Sequence, residues 1–212
     1  MKKANKIVSA IKRQISEADN GTMFFNNSFP DYDDEYVGHI LSEMVEKRVL
    51  HRLCRGVYLK AEETEAGIVY PSDEYIAKAI AERDGAQILP TGATALKILG
   101  LTPEDEATAP KDEAAAEAAE FLTTGSARVV KVGERTIRFK RSVPKNFAIK
   151  GEKRKLIVQA MKAIGEANMS DDLYDRFDSL ILRYPEYETL AEDMRSMPSW
   201  IKKIFSRSLP GE

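Results

Sequence analysis

The 212-residue sequence predicts an α+β fold of three modules. Near the N-terminus, apolar residues recur at three- and four-residue steps, which indicates amphipathic helices. In the middle of the chain, apolar and charged residues alternate, which is typical of strands with one exposed face. After Pro144 the helical period returns and continues towards the C-terminus. We therefore expect a helix-and-hairpin module over residues 1–62, a mixed α/β domain over 68–150 and a helical unit over 151–212.

The first module begins with a helix over residues 4–18, on which Ile11 and Ile15 share one apolar face. Turn residues at 19–21 end that helix. The apolar run at 22–25 then favours a short strand, because aromatic residues are enriched in strands.

A second helix and a basic hairpin complete this module. The helix is predicted over residues 34–48 and has an aspartate in the N-cap position. Two strand-like runs at 49–54 and 57–60 then surround a glycine turn, which indicates a hairpin. Helix, short link, helix and basic hairpin are the elements of a winged helix-turn-helix domain. In that domain the hairpin, called the wing, packs beside the second helix.

A winged helix that binds DNA needs hydrogen-bond donors on its second helix and cations near the phosphates. The predicted DNA-binding residues are Tyr36, His39, Ser42, Lys47, Arg48, His51, Arg52 and Arg55. The acidic residues at the start of the same helix suit the helix dipole but would repel phosphate; they are Asp31, Asp33, Asp34 and Glu35. Two alternatives stay open: the wing arginines form only a solvated edge, or the module contacts only proteins.

The second module is predicted to mix helices and strands. An acidic linker at residues 61–67 precedes a helix that Ser72 caps. A strand at 86–89 leads into a short helix over 93–99, and the Ala-rich stretch 113–120 has high helix propensity. Strands are then expected at residues 121–124, 127–132 and 136–141.

Charge is distributed unevenly along the chain, although its total is only −2. Residues 61–120 carry a net charge of −10, and residues 121–155 carry +9. Dense basic charge on a strand pair predicts a surface for nucleic acid or an acidic partner. The predicted basic patch consists of Arg128, Lys131, Arg135, Arg138, Lys140, Arg141 and Lys145. The alternative is that these cations neutralise the acidic segment within one folded domain.

Three helices are predicted in the C-terminal unit, over residues 152–164, 171–183 and 186–204. Pro185 separates the last two, because proline cannot continue a helix. Trp200 has the spacing of the apolar face of the last helix. We expect it to pack against the core of this unit or against a partner.

Catalytic and metal-binding constellations are scarce. The single Cys54, expected to be buried, excludes an internal disulfide, and two histidines are too few for a histidine metal site. No phosphate-binding or hydrolase motif occurs, and the aspartates between 171 and 178 are typical of a helix start. We expect a non-enzymatic protein with no catalytic residues, cofactor or metal. No apolar run reaches about 18 residues, which predicts a cytoplasmic protein without membrane contact.

Three blocks in matching order carry a family resemblance. The first spans residues 48–58 and reads RVLHRLCRGVY, the second spans 89–101 and reads LPTGATALKILGL, and the third spans 132–141 and reads VGERTIRFKR. They are similar to the wing, a Gly-Ala helix segment and a strand pair of AbiE-type antitoxins. Over about residues 1–150, the chain thus resembles the AbiE-type (AbiEi-like, DUF6088-like) antitoxins of type IV toxin–antitoxin systems.

The resemblance implies a bacterial transcriptional regulator that belongs to a phage-defence system. Its winged helix would repress its own operon by binding the operator DNA, and the following domain would counteract a nucleotidyltransferase-like toxin. Two rivals stay open on the residues themselves. An adaptor would keep the winged helix without DNA affinity, and a metal-dependent nuclease would draw its acids from residues 61–120.

Overall fold

The computed structural model describes residues 2–101 and 118–208. The chain has a mixed α+β fold, with N-terminal helices, then small sheets, then C-terminal helices, as the sequence predicts. It divides into two compact units, Met1–Gly85 with Val130–Thr136 and Ala86–Val129 with Ile137–Glu212. The three modules expected from the sequence have other boundaries than these two units, and the division into three stays a prediction.

The first unit begins with the elements of a winged helix. In chain order they are α1 (Lys2–Glu17), β1 (Met23–Phe24), a 3-10 turn (Asn26–Ser28), α2 (Asp34–Glu46), β2 (His51–Cys54) and β3 (Val57–Leu59). The three strands form an antiparallel sheet in the order β1-β3-β2, in which Leu59 lies opposite both Met23 and His51. This order of elements and strands is the winged-helix topology.

The core of the winged helix lies between α1, α2 and the sheet. Ile11 and Ile15 of α1 are fully buried, as are Val37 and Leu41 of α2. The predicted helical stripes therefore face each other, because residues three and four apart share one side of a helix. A buried residue, Phe24 of β1, joins the same apolar cluster.

After the winged helix, the first unit continues with β4 (Glu62–Thr64), β5 (Gly67–Val69) and α3 (Asp73–Arg83). The prediction of a linker over residues 61–67 was wrong, because β4 and β5 form an antiparallel hairpin. Gly67 adopts φ +113°, and the Thr64 hydroxyl donates to its carbonyl, so this turn closes locally. Ser72 caps α3 as predicted, since its hydroxyl accepts the Tyr75 N–H.

A four-stranded sheet follows, in the order β6-β7-β9-β8. The elements of this part of the chain are β6 (Ile88–Pro90), α4 (Gly92–Ile98), β7 (Ala118–Thr123), β8 (Arg128–Val132) and β9 (Arg135–Arg141). They belong to the second unit except for Val130–Thr136, which belongs to the first.

The helix predicted over 113–120 was wrong for its last three residues, because Ala118 to Glu120 belong to β7. The rest of that predicted helix, 113–117, lies outside the described residues. Burial of Ala118, the hydrogen bond from the Thr91 N–H to the Glu120 carbonyl and the place of β7 between β6 and β9 in the sheet outweigh the helix propensity of alanine there.

Four helices complete the second unit. They are α5 (Glu152–Ile164), α6 (Asp171–Arg183), α7 (Tyr187–Ser196) and α8 (Ser199–Ser208). The single helix predicted over 186–204 was wrong, because Pro198 divides it into α7 and α8. The residue before a proline is pushed out of the helical region, and Met197 is accordingly extended with ψ 151°.

The apolar faces of these helices meet in one cluster. Ile157, Phe177 and Ile201 are fully buried in it, and Trp200 packs against it from α8, in agreement with the predicted spacing. Within the part of the chain that the structure describes, no helix combines the length and apolar character needed to cross a membrane.

Candidate nucleic-acid interface

The predicted DNA-binding residues all lie in the first unit, on α2, on the wing formed by β2 and β3, and on the link between them. The α2 residues are Tyr36, His39 and Ser42, the link carries Lys47 and Arg48, and the wing carries His51, Arg52 and Arg55. Ser42 and Tyr58 are joined by a hydrogen bond of 3.3 Å between their hydroxyls. This contact connects α2 to the central strand of the sheet.

Arg48 ends α2 in the left-handed conformation, with φ +58°. Its N–H donates to the Val45 carbonyl and the Val49 N–H donates to the Met44 carbonyl, which is the Schellman pattern of a helix C-terminus. Glycine is the usual residue at this position, since a side chain there costs roughly 1–2 kcal/mol. Arg48 therefore places an exposed cation between α2 and the wing, at a backbone position that favours glycine.

The wing presents two exposed arginines near its turn. Arg52 pairs with Tyr58 across the ladder, and the register shifts between Arg52 and Cys54. Such a bulge re-aims the side chains beside it. Arg55 adjoins the turn residue Gly56, which adopts φ +71°. Neither Arg52 nor Arg55 forms an ion pair with any residue that the structure describes.

Arg83 of α3 contacts the turn of the wing. Its guanidinium donates to the Gly56 carbonyl at 3.3 Å, lies 5.2 Å from the centre of the Phe25 ring and pairs with Asp84 at 2.7 Å. Partial burial lowers the pKa of Arg83 below its ordinary value. Sequence analysis missed this residue, since nothing local distinguishes it from an ordinary basic residue at a helix C-terminus.

Two of the predicted residues are engaged by carboxylates of the same unit. Lys47 forms an ion pair with Glu43, which Lys12 of α1 also approaches at 3.7 Å. The hydrogen bond from Lys47, together with the attraction of both lysines, lowers the pKa of Glu43. His51 Nε2 lies 3.1 Å from a carboxylate oxygen of Glu63. Lys47 and His51 are therefore less available to a ligand than the arginines.

The acidic residues at the start of α2 lie at the opposite end from Arg48. Asp33 caps the helix by accepting the Tyr36 N–H at 2.9 Å, while Asp34 and Glu35 are exposed in the first turn. At 1.5 Å per residue, the 13 residues of α2 span about 20 Å. The Debye length at physiological salt is about 8 Å. These acids therefore leave the charge of Arg48 largely unneutralised.

The predicted basic patch separates into engaged and free cations. Arg138 and Lys140 hold the carboxylate of the buried Glu120 at 3.3 and 2.7 Å, and Arg135 holds Asp73 at 2.8 Å. Internal neutralisation is therefore the role of these three cations in the fold. Arg128 lies 5.7 Å from the centre of the Phe139 ring. Lys131, Arg141 and Lys145 are exposed and pair with no acid among the described residues.

The family model of a family of unknown function (DUF6088) matches residues 10–189. The chain belongs to this family. The match begins within α1, includes the wing and the basic patch, and ends within α7, so it extends beyond the resemblance noted over residues 1–150. No curated protein and no solved structure matches the chain.

The remaining candidates of this DUF6088 member do not form a chemical site. Cys54 was expected to be buried, but it is partly exposed. Asp171 and Asp172 lie in the first turn of α6, where Ser170 is the N-cap, and Asp178 binds Arg207 of α8 at 2.7 Å. Among residues 2–101 and 118–208, no three acidic, histidine or cysteine side chains are grouped as metal ligands would be.

Proposed function

We propose that the chain is a DNA-binding transcriptional autoregulator and the antitoxin of a bacterial toxin–antitoxin system of the phage-defence type. The observation that carries the DNA-binding part is the exposed arginine set Arg48, Arg52 and Arg55 on a winged helix. The resemblance to AbiE-type antitoxins supports the antitoxin part. The DNA partner would be the operator of its own operon, and the protein partner a toxin.

Phosphate contacts explain why these three arginines matter most. Guanidinium groups bind phosphate oxygens with two parallel hydrogen bonds and release counterions from the duplex. Arg52 and Arg55 carry charge at the wing, while His39 and Ser42 lie on α2, where hydrogen bonds to base edges are made in helix-turn-helix proteins. Affinity would therefore depend on the wing, and sequence preference on α2.

The test is a mobility-shift titration of the full chain against its own upstream DNA at several salt concentrations. We expect the R52A/R55A double variant to bind more weakly and to lower the slope of log affinity against log salt by about 1.8, at 0.9 per lost phosphate contact. The matched control is R183A/R195A, which removes two exposed arginines of the second unit. Salt-independent binding, or equal losses in both double variants, would contradict the proposal.

The antitoxin part needs a separate measurement. The chain is co-expressed with the product of the neighbouring reading frame, and growth is followed with and without the chain. We expect rescue by the native chain. A triple variant K131E/R141E/K145E tests whether the free cations of the basic patch contribute, since it leaves the Glu120 pairs intact. Absence of rescue by the native chain would refute the antitoxin assignment.

A second candidate function is a protein-interaction adaptor without DNA affinity. The exposed Asp34 and Glu35 beside the Asp33 cap favour it, because they place negative charge where a recognition helix meets the phosphates. The titration separates the two functions. No binding of upstream DNA even at low salt would favour the adaptor.

A further inference from the structure

A chain of side-chain hydrogen bonds joins α5 to the 3-10 turn Pro144–Phe147 that precedes it. The Lys162 ammonium group of α5 donates to the side-chain oxygen of Asn146 at 3.0 Å, and the Asn146 amide nitrogen donates to the Ser142 hydroxyl at 2.7 Å. Lys162 and Ser142 are partly buried, whereas Lys145 of the same turn is exposed. All of these residues belong to the second unit.

The hydrogen-bonding groups that this chain leaves over are chiefly donors. Lys162 has three N–H groups, and its bond to Asn146 uses one of them. The Ser142 oxygen accepts from Asn146, so the hydroxyl proton is left to donate. Lys145 adds three more N–H groups, since its side chain bonds to none of the described residues. Such a surface is complementary to an anion, whose oxygens only accept.

The positive charge of this cluster is not balanced by carboxylates. No acid among the described residues forms an ion pair with Lys145 or Lys162. Burial of its ammonium group lowers the pKa of Lys162, and the nearby charge of Lys145 lowers it further. The two cations therefore disfavour each other, and one of them has also lost part of its hydration. An anion that contacts both ammonium groups would offset both effects.

We propose that Lys145, Lys162 and Ser142 bind a phosphate group of a nucleic-acid backbone. The two ammonium groups supply the charge and the Ser142 hydroxyl donates a hydrogen bond, while Asn146 orients Lys162 and Ser142. Arg141 directly precedes Ser142 and is exposed, so it adds positive charge for a neighbouring phosphate. The inference goes beyond the winged-helix contact and does not rest on it, because these residues all lie in the second unit.

The form of this cluster favours a long polyanion over a single small ion. A contact with one exposed ammonium group is weak by itself, but a nucleic-acid backbone releases counterions at every phosphate that is neutralised. Asn146 holds Lys162 through its oxygen and Ser142 through its nitrogen. No side-chain amide of the cluster is therefore left to make the paired hydrogen bonds that identify a base. We expect this site to bind the backbone without regard to base sequence.

The test measures the response of Lys162 by NMR in the full chain, with the side-chain carbons of lysine isotopically labelled. The probe is a single-stranded thymidylate oligonucleotide, and the spectrum of K162Q assigns the Lys162 signal. We expect the pKa of Lys162 to rise when the oligonucleotide binds, because a nearby anion favours the charged form. The signal of Lys203, an exposed lysine of the same unit, should not move.

Variants test the same site through affinity. K145Q and K162Q should each weaken oligonucleotide binding severalfold and lower the slope of log affinity against log salt by about 0.7, the value for one phosphate contact on a single strand. S142A keeps both charges, so it should weaken binding but leave the slope unchanged. The matched control K203Q should change neither quantity. Because Lys145 is exposed, K145Q tests the site without disturbing the core.

The outcomes separate this inference from the DNA-binding proposal. Oligonucleotide binding that leaves the Lys162 signal unmoved would overturn the inference, as would no binding at all or an equal rise in the Lys162 pKa with polyglutamate. Wing-dependent binding of upstream DNA without any response at Lys162 would refute the phosphate site alone. A response at Lys162 that R52A/R55A leaves intact, in a chain that does not bind upstream DNA through its wing, would refute the DNA-binding proposal alone.

Discussion

The most specific energetic prediction concerns a buried ion pair in the second unit. The side chains of Arg154 on α5 and Asp193 on α7 are both fully buried and form a charge-assisted hydrogen bond. Asp193 also accepts the backbone N–H groups of Lys150 and Gly151 at 2.7 and 3.0 Å, and the Thr189 hydroxyl at 3.0 Å. The carboxylate therefore anchors the start of α5 to α7.

Arg154 has further partners that hold it in place. Its guanidinium donates to the carbonyls of Pro185 and Glu186 and to the Thr189 hydroxyl. The Glu186 carboxylate accepts the Arg154 N–H at 3.0 Å, so it caps α5. The loop between α6 and α7 thus depends on one buried cation.

The change D193N keeps the size of the side chain and removes its charge. The Arg154 cation is then buried without a counter-charge, and the new amide group faces donors rather than acceptors. Breaking a buried pair by removing one partner costs about 3–5 kcal/mol. That is a large part of the roughly 5–15 kcal/mol by which domains are stable.

The assay is urea unfolding of the full chain followed by tryptophan fluorescence. Trp200 is the only tryptophan, and it packs against the core of the same unit. The matched control is E192Q, which removes the charge of the neighbouring exposed residue and its surface pair with Lys150. We expect the midpoint of D193N to fall well below that of E192Q. Equal urea midpoints for D193N and E192Q would refute the reasoning, because the buried pair would then contribute no more to stability than the exposed one.

The next three predictions concern the end of α2, the cap of α6 and the pH dependence of stability. R48G should raise the free energy of unfolding by about 1 kcal/mol, measured by urea unfolding, because it relieves a left-handed arginine, while it weakens DNA binding in the mobility shift. S170A should lower that free energy by about 1 kcal/mol, since the Ser170 hydroxyl accepts the Leu173 N–H and caps α6; an unchanged value would contradict the cap. Burial tends to raise the pKa of Asp193, but hydrogen bonds from Lys150, Gly151, Arg154 and Thr189 outweigh it and lower that pKa. The stability from the lowered pKa is present above the unfolded value of about 3.9 and is lost as the pH falls further. Urea midpoints from pH 5 to 3 should therefore fall more steeply for the native chain than for D193N.

Local patterns in the sequence predicted much of the fold. The helices at 4–18, 34–48, 152–164 and 171–183 lie close to their predicted limits, because an apolar stripe of helical period and a capping residue are properties of neighbouring residues. The wing was predicted from two strand-like runs around a glycine turn. Arg52 and Arg55 could be predicted as exposed because they lie close to the turn of that hairpin.

Other features depend on partners distant in sequence. The end of the Ala-rich stretch forms part of β7, a central strand between β6 and β9, against its own helix propensity. Arg83 and Arg154 have no sequence signal that separates them from surface arginines, yet one supports the wing and the other is fully buried. Only the folded chain brings their acceptors together.

The sequence by itself therefore determined the α+β class, the order of helices and hairpins in the winged helix, and the position of two exposed arginines at the wing. The tertiary structure decided which cations of the basic patch pair with acids among the described residues and which do not. Arg138 and Lys140 look like Lys131 and Arg141 in the sequence, but only the first two meet the buried Glu120. The physical reason is that helix and turn propensity act between near neighbours, whereas burial and ion pairing depend on distances that exist only after folding.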